Sequence, residues 1–240
     1  MIDIWPCSAV GSAVLAHRGG ASLGAANSTD AVELAVAAGA DAVELDLQEL
    51  GDGTLVITHD GGIWTDGLRV MLRDMDLARF VALSNGPAVL LQTMIDLLAA
   101  LPTGLYLDVK RVTVPGLLRA INAVSASAIA GRTVVGSFDL AVASAVAEDG
   151  RLPASVLYRD TSFDPLELAE STGCSMVHPC FDDEPWMVGQ LAGEWMERVH
   201  AAGLAVVGWN SNDPALLAEM AAAGFDALCT DDPRLSVQVG

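Results

Sequence analysis

Two histidines and two carboxylates, spread over three short motifs, carry the chemistry open to this chain. His17-Arg18-Gly19, Glu44-Leu45-Asp46 and His59-Asp60 each close an apolar run: Ala13-Val14-Leu15-Ala16, Ala42-Val43 and Leu55-Val56-Ile57. Imidazoles give and take protons near neutral pH, and carboxylate oxygens hold hard cations. If the second run is a strand, Glu44 and Asp46 leave the same face, about 7 Å apart at their Cα atoms. Two carboxylates on one apolar face repel each other unless a cation sits between them. Oxygen donors favour Mg²⁺ or Ca²⁺, with Mn²⁺ a third option. The chemistry this suggests is metal-assisted hydrolysis of a phosphate ester, with His17 and His59 as the proton-transfer pair.

Asp108-Val109-Lys110 repeats the same-face logic on another run. Asp108 can complete the carboxylate set and Lys110 can grip a phosphate oxygen; a structural Lys–Asp pair is the plainer alternative. Arg18, directly after His17, is a second phosphate-gripping candidate, because its planar fork suits bidentate contact.

The elements that must position these groups read as strands alternating with Ala-rich helices, the rhythm of a parallel α/β barrel. Strand candidates are 13–17, 41–47, 55–59, 105–109, 134–138, 155–158, 176–178, 205–209 and 227–230. Helix candidates are 28–38, 89–100, 115–123, 140–148, 165–170, 187–202 and 214–223. That is one strand more than a closed (β/α)8 barrel needs. Gly51-Asp52-Gly53 leaves no room for a crossover helix, so 55–59 should fold back on 41–47 as a hairpin. Reflection about Asp52 sets His59 opposite Leu45, level with Glu44 and Asp46. A stretch at about 61–87, with Trp64, Met71, Met75 and Phe80, breaks the rhythm and reads as an inserted cap over the barrel mouth. The expectation is one TIM (β/α)8 barrel over residues 1–240 with that cap after the second strand and its hairpin.

Composition bounds the partners. The chain has 31 Asp and Glu against 12 Lys and Arg, a formal net charge of −19. Nucleic acid and anionic membrane are poor partners for such a surface, so a bound phosphate must be held locally. Half the residues are hydrophobic (52%), mostly Ala, Val and Leu, which suits a large core. Cys7, Cys174, Cys180 and Cys229 show no paired framework. The first 15 residues lack a basic stretch ahead of their apolar run, and no apolar run approaches the roughly 20 residues of a membrane span. The expectation is a cytoplasmic protein without stable membrane association.

With these motifs in order, the chain resembles the glycerophosphodiester phosphodiesterase family. That family's pattern runs from a strand ending in HRG through a PENT-like segment, then GAD and ELD, then HD. Here His17-Arg18-Gly19, Gly39-Ala40-Asp41, Glu44-Leu45-Asp46 and His59-Asp60 follow that order and approximate spacing. Asp108-Val109-Lys110 matches its E-x-K strand, Ser137-Phe138 its SF strand, Trp209-Asn210 its Trp-Thr-Val-Asn strand, and Thr230-Asp231-Asp232-Pro233 its closing TD-x-P. The resemblance implies a barrel enzyme of lipid and glycerol metabolism that cleaves glycerophosphodiesters to glycerol 3-phosphate and an alcohol. It implies one divalent cation held by Glu44, Asp46 and Asp108, with His17 and His59 as general acid and base. Arg18 and Lys110 would then stabilise the phosphorus centre, and Trp209 would line the glycerol side. Three departures stand out: Ala25-Ala26-Asn27-Ser28 lacks the Glu of PENT, Asp108 stands where Glu is usual, and Trp209-Asn210-Ser211-Asn212 replaces Trp-Thr-Val-Asn. An Asp at the third carboxylate position also fits related phospholipase D-like barrels acting on lyso-phospholipid or sphingolipid head groups. A barrel that only binds phosphodiesters is the non-enzyme alternative.

Other signals read as structural. Cys174, His178 and Cys180 match no standard zinc spacing and suit a strand end with buried thiols. His200 suits a helix C-terminus. Trp186 and Trp195 read as packing residues, and Asp182-Asp183-Glu184 and Asp231-Asp232 as solvated loop charges.

Overall fold

The computed structural model describes residues 4–5, 11–84, 86, 88–160, 162–180 and 186–237. Its strands are β1 (Ala13–Ala16), β2 (Ala42–Glu49), β3 (Leu55–Ile57), β4 (Gly62–Thr65), β5 (Leu68–Met71), β6 (Gly104–Arg111), β7 (Thr133–Ser137), β8 (Ala154–Tyr158), β9 (Met176–Pro179), β10 (Ala205–Gly208) and β11 (Ala227–Thr230). The main sheet runs β1-β11-β10-β9-β8-β7-β6-β2-β3, and β1 pairs with β2 to close it. All of its neighbours are parallel except β3, which lies antiparallel on β2. Leaving β3 aside, the closed ring is an eight-stranded parallel barrel.

Strand periodicity sorts the side chains into two cores. Val43, Leu45, Leu47, Leu105, Leu107 and Val109 pack outward against the helices. Ala42 and Tyr106, of opposite parity, pack inward with Leu15, Val207, Trp209 and Cys229. Glu44 and Asp46 share the parity of Ala42, and Asp108 and Lys110 that of Tyr106, so all four face the barrel interior.

The helices are α1 (Thr29–Ala37), α2 (Leu77–Leu83), α3 (Leu91–Ala99), α4 (Val114–Ser125), α5 (Leu140–Asp149), α6 (Pro165–Thr172), α7 (Trp186–Leu191), α8 (Glu194–Ala201), α9 (Pro214–Ala223) and α10 (Arg234–Val237). Side chains start several of them: Ser28, Thr113, Asp139, Asp164 and Asp213 each accept a backbone N–H of the first turn. Such caps contribute about 1 kcal/mol apiece.

All nine expected strands form, and the hairpin has the expected register. Leu47 faces Ile57 and Glu49 faces Leu55, the same reflection that sets Leu45 against His59. One element differs: residues 187–202, read as a single helix, form α7 and α8. Gly193 between them takes φ 59 and ψ −125, which no helix accommodates. Between β3 and α3 the chain builds its own two-stranded sheet, β4 with β5, followed by α2. Leu50, Val56, Leu72, Met75 and Phe80 form a separate small core there. No helix among the described residues is long and apolar enough to cross a membrane.

Candidate active site

At the C-terminal end of β2 and β6, Asp46 and Asp108 are direct cross-strand partners, with Glu44 one inward-facing position below. One carboxylate oxygen from each of the three lies within 4.8 Å of the others, and all three residues are buried. The Lys110 ammonium bridges the pair, 3.0 Å from Asp46 Oδ1 and in close contact with Asp108 Oδ2. Asn27 clamps Asp46 from both ends: its Nδ2 donates to Asp46 Oδ2 at 2.8 Å, and its Oδ1 accepts the Asp46 N–H at 3.1 Å. The Arg18 N–H donates to Glu44 Oε2 at 2.8 Å.

Two oxygens remain. Glu44 Oε1 and Asp108 Oδ1 are buried and have no hydrogen-bond partner. An orphaned buried carboxylate oxygen is costly unless a cation or donor meets it. The three residues therefore fit a hard divalent cation, in number and in donor type. The protonation balance agrees. Burial, then the charges of Asp46 and Asp108, push the Glu44 carboxyl well above its ordinary range. Burial likewise lifts Asp108 to about 6, against the pull of Lys110. Burial acts the same way on Asp46, but Lys110 and the Asn27 amide outweigh it and hold Asp46 low. Burial also works against the Lys110 ammonium, and Asp108 and Asp46 more than offset it.

His17 sits in the turn after β1, buried, with Nδ1 2.6 Å from Asp231 Oδ1. A carboxylate that close orients the ring so that Nδ1 donates to it and Nε2 turns toward the cluster. Nε2 lies 4.0 Å from Glu44 Oε2. Asp231 is itself oriented by Asn212, whose Nδ2 donates to Asp231 Oδ2 at 2.7 Å. Trp209, buried, meets His17 edge-on with ring centroids 5.6 Å apart, and also contacts Phe138 and His178.

His59 is placed differently from His17. Its side chain is 43% exposed and its Nδ1 pairs with Asp60 Oδ1 at 3.0 Å. Its backbone oxygen is held by Gln48 Nε2 at 2.8 Å. No direct contact joins it to the three carboxylates among the described residues, and a positive charge on it would pull Asp46 and Asp108 down only weakly, after burial and Lys110. A cleft of about 320 Å³ opens beside it, lined also by Lys110, Ser137 and Phe138. Arg18 takes φ 49 and ψ 35, an unusual conformation for a residue with a side chain, and its Nε stands 3.6 Å from Asp46 Oδ2. That Nε is buried without a hydrogen-bond partner. Strain and an unsatisfied donor at one residue are the pattern of a site built for a ligand.

Residues 17–235 match the glycerophosphoryl diester phosphodiesterase family. The chain belongs to that family. Its members are named for phosphodiester hydrolysis, which accords with a carboxylate cluster flanked by histidines. A glycerophosphodiester phosphodiesterase of Caldanaerobacter subterraneus subsp. tengcongensis is 24% identical over 242 residues, covering 94% of this chain and 96% of that one. The crystal structure of a glycerophosphodiester phosphodiesterase from Parabacteroides distasonis superposes with a TM-score of 0.82 at 23% identity, covering 95% of this chain and 96% of that chain. A phosphodiesterase of Oleispira antarctica, solved in complex with the product sn-glycerol-3-phosphate, superposes with a TM-score of 0.75 at 23% identity, over the same shares of the two chains. The family thus covers the barrel from the first motif to the last.

Within this diesterase frame, some polar residues have different places from those expected. Asp231, read as a solvated loop charge, is half-buried against His17. It comes from the loop after β11, so its partner lies 214 residues away in sequence. Only its TD-x-P context hinted at this. Asn27 was visible as the surviving Asn of the PENT-like segment, but nothing in the sequence marked it as the clamp on Asp46. His178 is fully buried, as expected of a strand end, with Nδ1 2.9 Å from the Tyr106 hydroxyl. Burial, then the nearby His17, holds it well below the usual imidazole value, and so neutral. Cys174, Cys180 and Cys229 are buried free thiols. His200 lies in the last turn of α8 and also meets Asp226 at 2.9 Å. Trp195 packs partly buried against the outer core. The Trp186 side chain, Asp182-Asp183-Glu184 and Cys7 lie outside the described residues.

Proposed function

We propose that the protein is a metal-dependent glycerophosphodiester phosphodiesterase that releases glycerol 3-phosphate and an alcohol. The observation that carries this reading is the buried trio Glu44, Asp46 and Asp108, with its two unpartnered oxygens, set beside a histidine already oriented by a carboxylate. The relative solved with sn-glycerol-3-phosphate supports the choice of product.

Glu44, Asp46 and Asp108 would hold one divalent cation, Mg²⁺ or Ca²⁺ with Mn²⁺ a third option. Bound there, it would supply Lewis-acid polarisation of the phosphoryl oxygens. Arg18 and Lys110 bring positive charge to the same mouth and stabilise the extra negative charge of the five-coordinate phosphorus. His17 and His59 share the proton work: one imidazole removes the proton from the attacking oxygen, and the other protonates the alcohol oxygen as the P–O bond breaks. For each, the Nδ1 side is engaged by Asp231 or Asp60, which leaves Nε2 for the substrate. Trp209 walls the glycerol side and limits water around His17. In this reading residues 61–87 form the cap that shapes what reaches the mouth.

The test is glycerol 3-phosphate release from glycerophosphocholine by His17→Ala and His59→Ala, each beside the unaltered protein. Each substitution should lower kcat by about 10²–10⁴-fold. A variant within twofold of the parent would remove that histidine from the mechanism.

A second reading has an observation of its own. Trp64 and Leu68, on β4 and β5, are 72% and 70% exposed. A groove of about 460 Å³ runs past Ile63, Trp64, Phe80 and Leu83 to Asn27. Such an apolar path suits the acyl chain of a lyso-phospholipid. Acylated substrate turned over at a higher kcat/KM than its deacylated form, with the advantage lost in Trp64→Ser, would favour it.

A further inference from the structure

In a chain with 31 acids and 12 cations, most cationic side chains are engaged. Arg119, Arg151, Arg198 and Arg234 pair with Glu49, Asp149, Asp164 and Asp232. Arg18 and Lys110 serve the carboxylate trio. Arg132 donates to the carbonyls of Leu98 and Leu101, and Arg159 lies over the Phe138 and Trp209 rings. The side chains of Arg69, Arg73, Arg79 and Arg111 have no such partner among the described residues.

Their placement is uneven. Arg69 and Arg111 line the cleft of about 320 Å³ beside His59 and Lys110. Arg73 and Arg111 line a larger cavity of about 670 Å³. Gln48, Gly61, Met71, Lys110, Arg111 and Asp139 line both, so the two cavities adjoin. The acids on their walls are already engaged: Glu49 by Arg119 and the Thr113 N–H, Asp52 by the Thr54 and Leu77 N–H groups, Asp139 by the Ala141 N–H, and Asp60 by His59. The guanidiniums are not. Among the described residues, three of the four unpartnered guanidiniums of this strongly acidic protein thus line the clefts beside His59 and Lys110. Planar guanidinium forks match phosphate oxygens better than any other common side chain.

We propose that these adjoining clefts form the leaving-alcohol subsite, and that Arg69, Arg73 and Arg111 select diesters whose alcohol carries a second phosphate. The inference rests on the diesterase reading above. It assigns the Trp209 side to glycerol and the His59 side to the departing alcohol.

The experiment compares three diesters of glycerol 3-phosphate, whose alcohols are glycerol phosphate, glycerol and choline. Consumption of each is followed as kcat/KM, and its binding to His59→Ala is followed by titration calorimetry. The proposal expects the phosphorylated diester to be preferred over the choline diester by about tenfold or more in both measurements. Arg69→Gln/Arg111→Gln should bring that ratio to within about threefold, whereas Arg79→Gln, a charge change outside both clefts, should leave it intact. A protein that favours choline, or treats all three alike, overturns the subsite while leaving the diesterase reading in place. So does a double variant whose ratio falls no further than that of Arg79→Gln. If none of the three is consumed, the diesterase reading fails and the leaving-alcohol assignment falls with it, even where calorimetry keeps the expected order.

Discussion

Glu44 is the residue with most to lose when the site holds no cation. It is buried, its Oε1 lacks a partner, and two other carboxylates crowd it. Glu44→Gln removes one charge from that cluster and can still accept the Arg18 N–H. Thermal unfolding in chelator at pH 8 should show the variant more stable than the parent by about 1 kcal/mol, or roughly 2–4 °C in Tm, with hydrolysis abolished. A loss of stability would mean that the cluster is a structural ion network rather than a cation site. Asp231 offers a second residue-scale prediction. Asp231→Asn keeps the shape but lets an amide face His17 Nδ1, so the favoured tautomer puts the proton on Nε2. By analogy with catalytic triads, kcat should fall by about 10²–10⁴-fold with KM little changed, as steady-state kinetics would show. The carboxylates and both histidines were legible in the sequence because each closes a strand-like run. Asp231 was not, because a single Asp in a loop looks solvated until the ring of strands closes and brings it to His17.

At the scale of elements, β2, β3 and β6 do most of the positioning. The register of β2 on β6 pairs Asp46 with Asp108, and strand parity turns Glu44 and Lys110 to the same side. The β2–β3 hairpin could be read in advance because Gly51-Asp52-Gly53 admits no helix and the reflection about Asp52 is arithmetic. The internal structure of residues 61–87 could not, since its short strands carry no long periodic pattern, and the break at Gly193 is a backbone conformation that helix periodicity does not announce. β7 carries a further constraint. An added Cβ at Gly136 would run into the Tyr106 hydroxyl, which donates to Ser155 at 2.8 Å and meets His178. Gly136→Ala should therefore destabilise the fold by about 1–3 kcal/mol, measured by urea unfolding. It should also disturb Trp209, which leans on His178. A neutral effect would show that the barrel interior repacks freely there.

For the whole molecule, the closed ring brings to one mouth residues drawn from both ends of the chain, and on the proposed reading the chain's net negative charge would leave phosphate to be held by a few local cations. On the proposed reading, protons and a divalent cation would compete for one buried cluster. Asp108 titrates at about 6 in the folded protein, above its ordinary value of 3.8, because it is buried; Glu44 is raised as well. Between those two pH values the folded chain keeps a proton that the unfolded chain has lost. Without cation, this contribution to stability is therefore present below about pH 4 and is lost as pH rises through about 6. Added Mg²⁺ or Ca²⁺ should restore stability above that range and have little effect below it, which Tm measured against pH with and without cation would reveal.

The central claim is that this cluster makes the protein a metal-dependent diesterase. Its most direct test is glycerol 3-phosphate release from glycerophosphoglycerol and glycerophosphocholine by protein stripped with EDTA, then supplied with Mg²⁺, Ca²⁺ or Mn²⁺, with Glu44→Gln alongside. The account predicts no product from stripped protein, activity restored by at least one cation, and none from Glu44→Gln under any condition. Full activity in EDTA, or a Glu44→Gln protein as active as the parent, would contradict it.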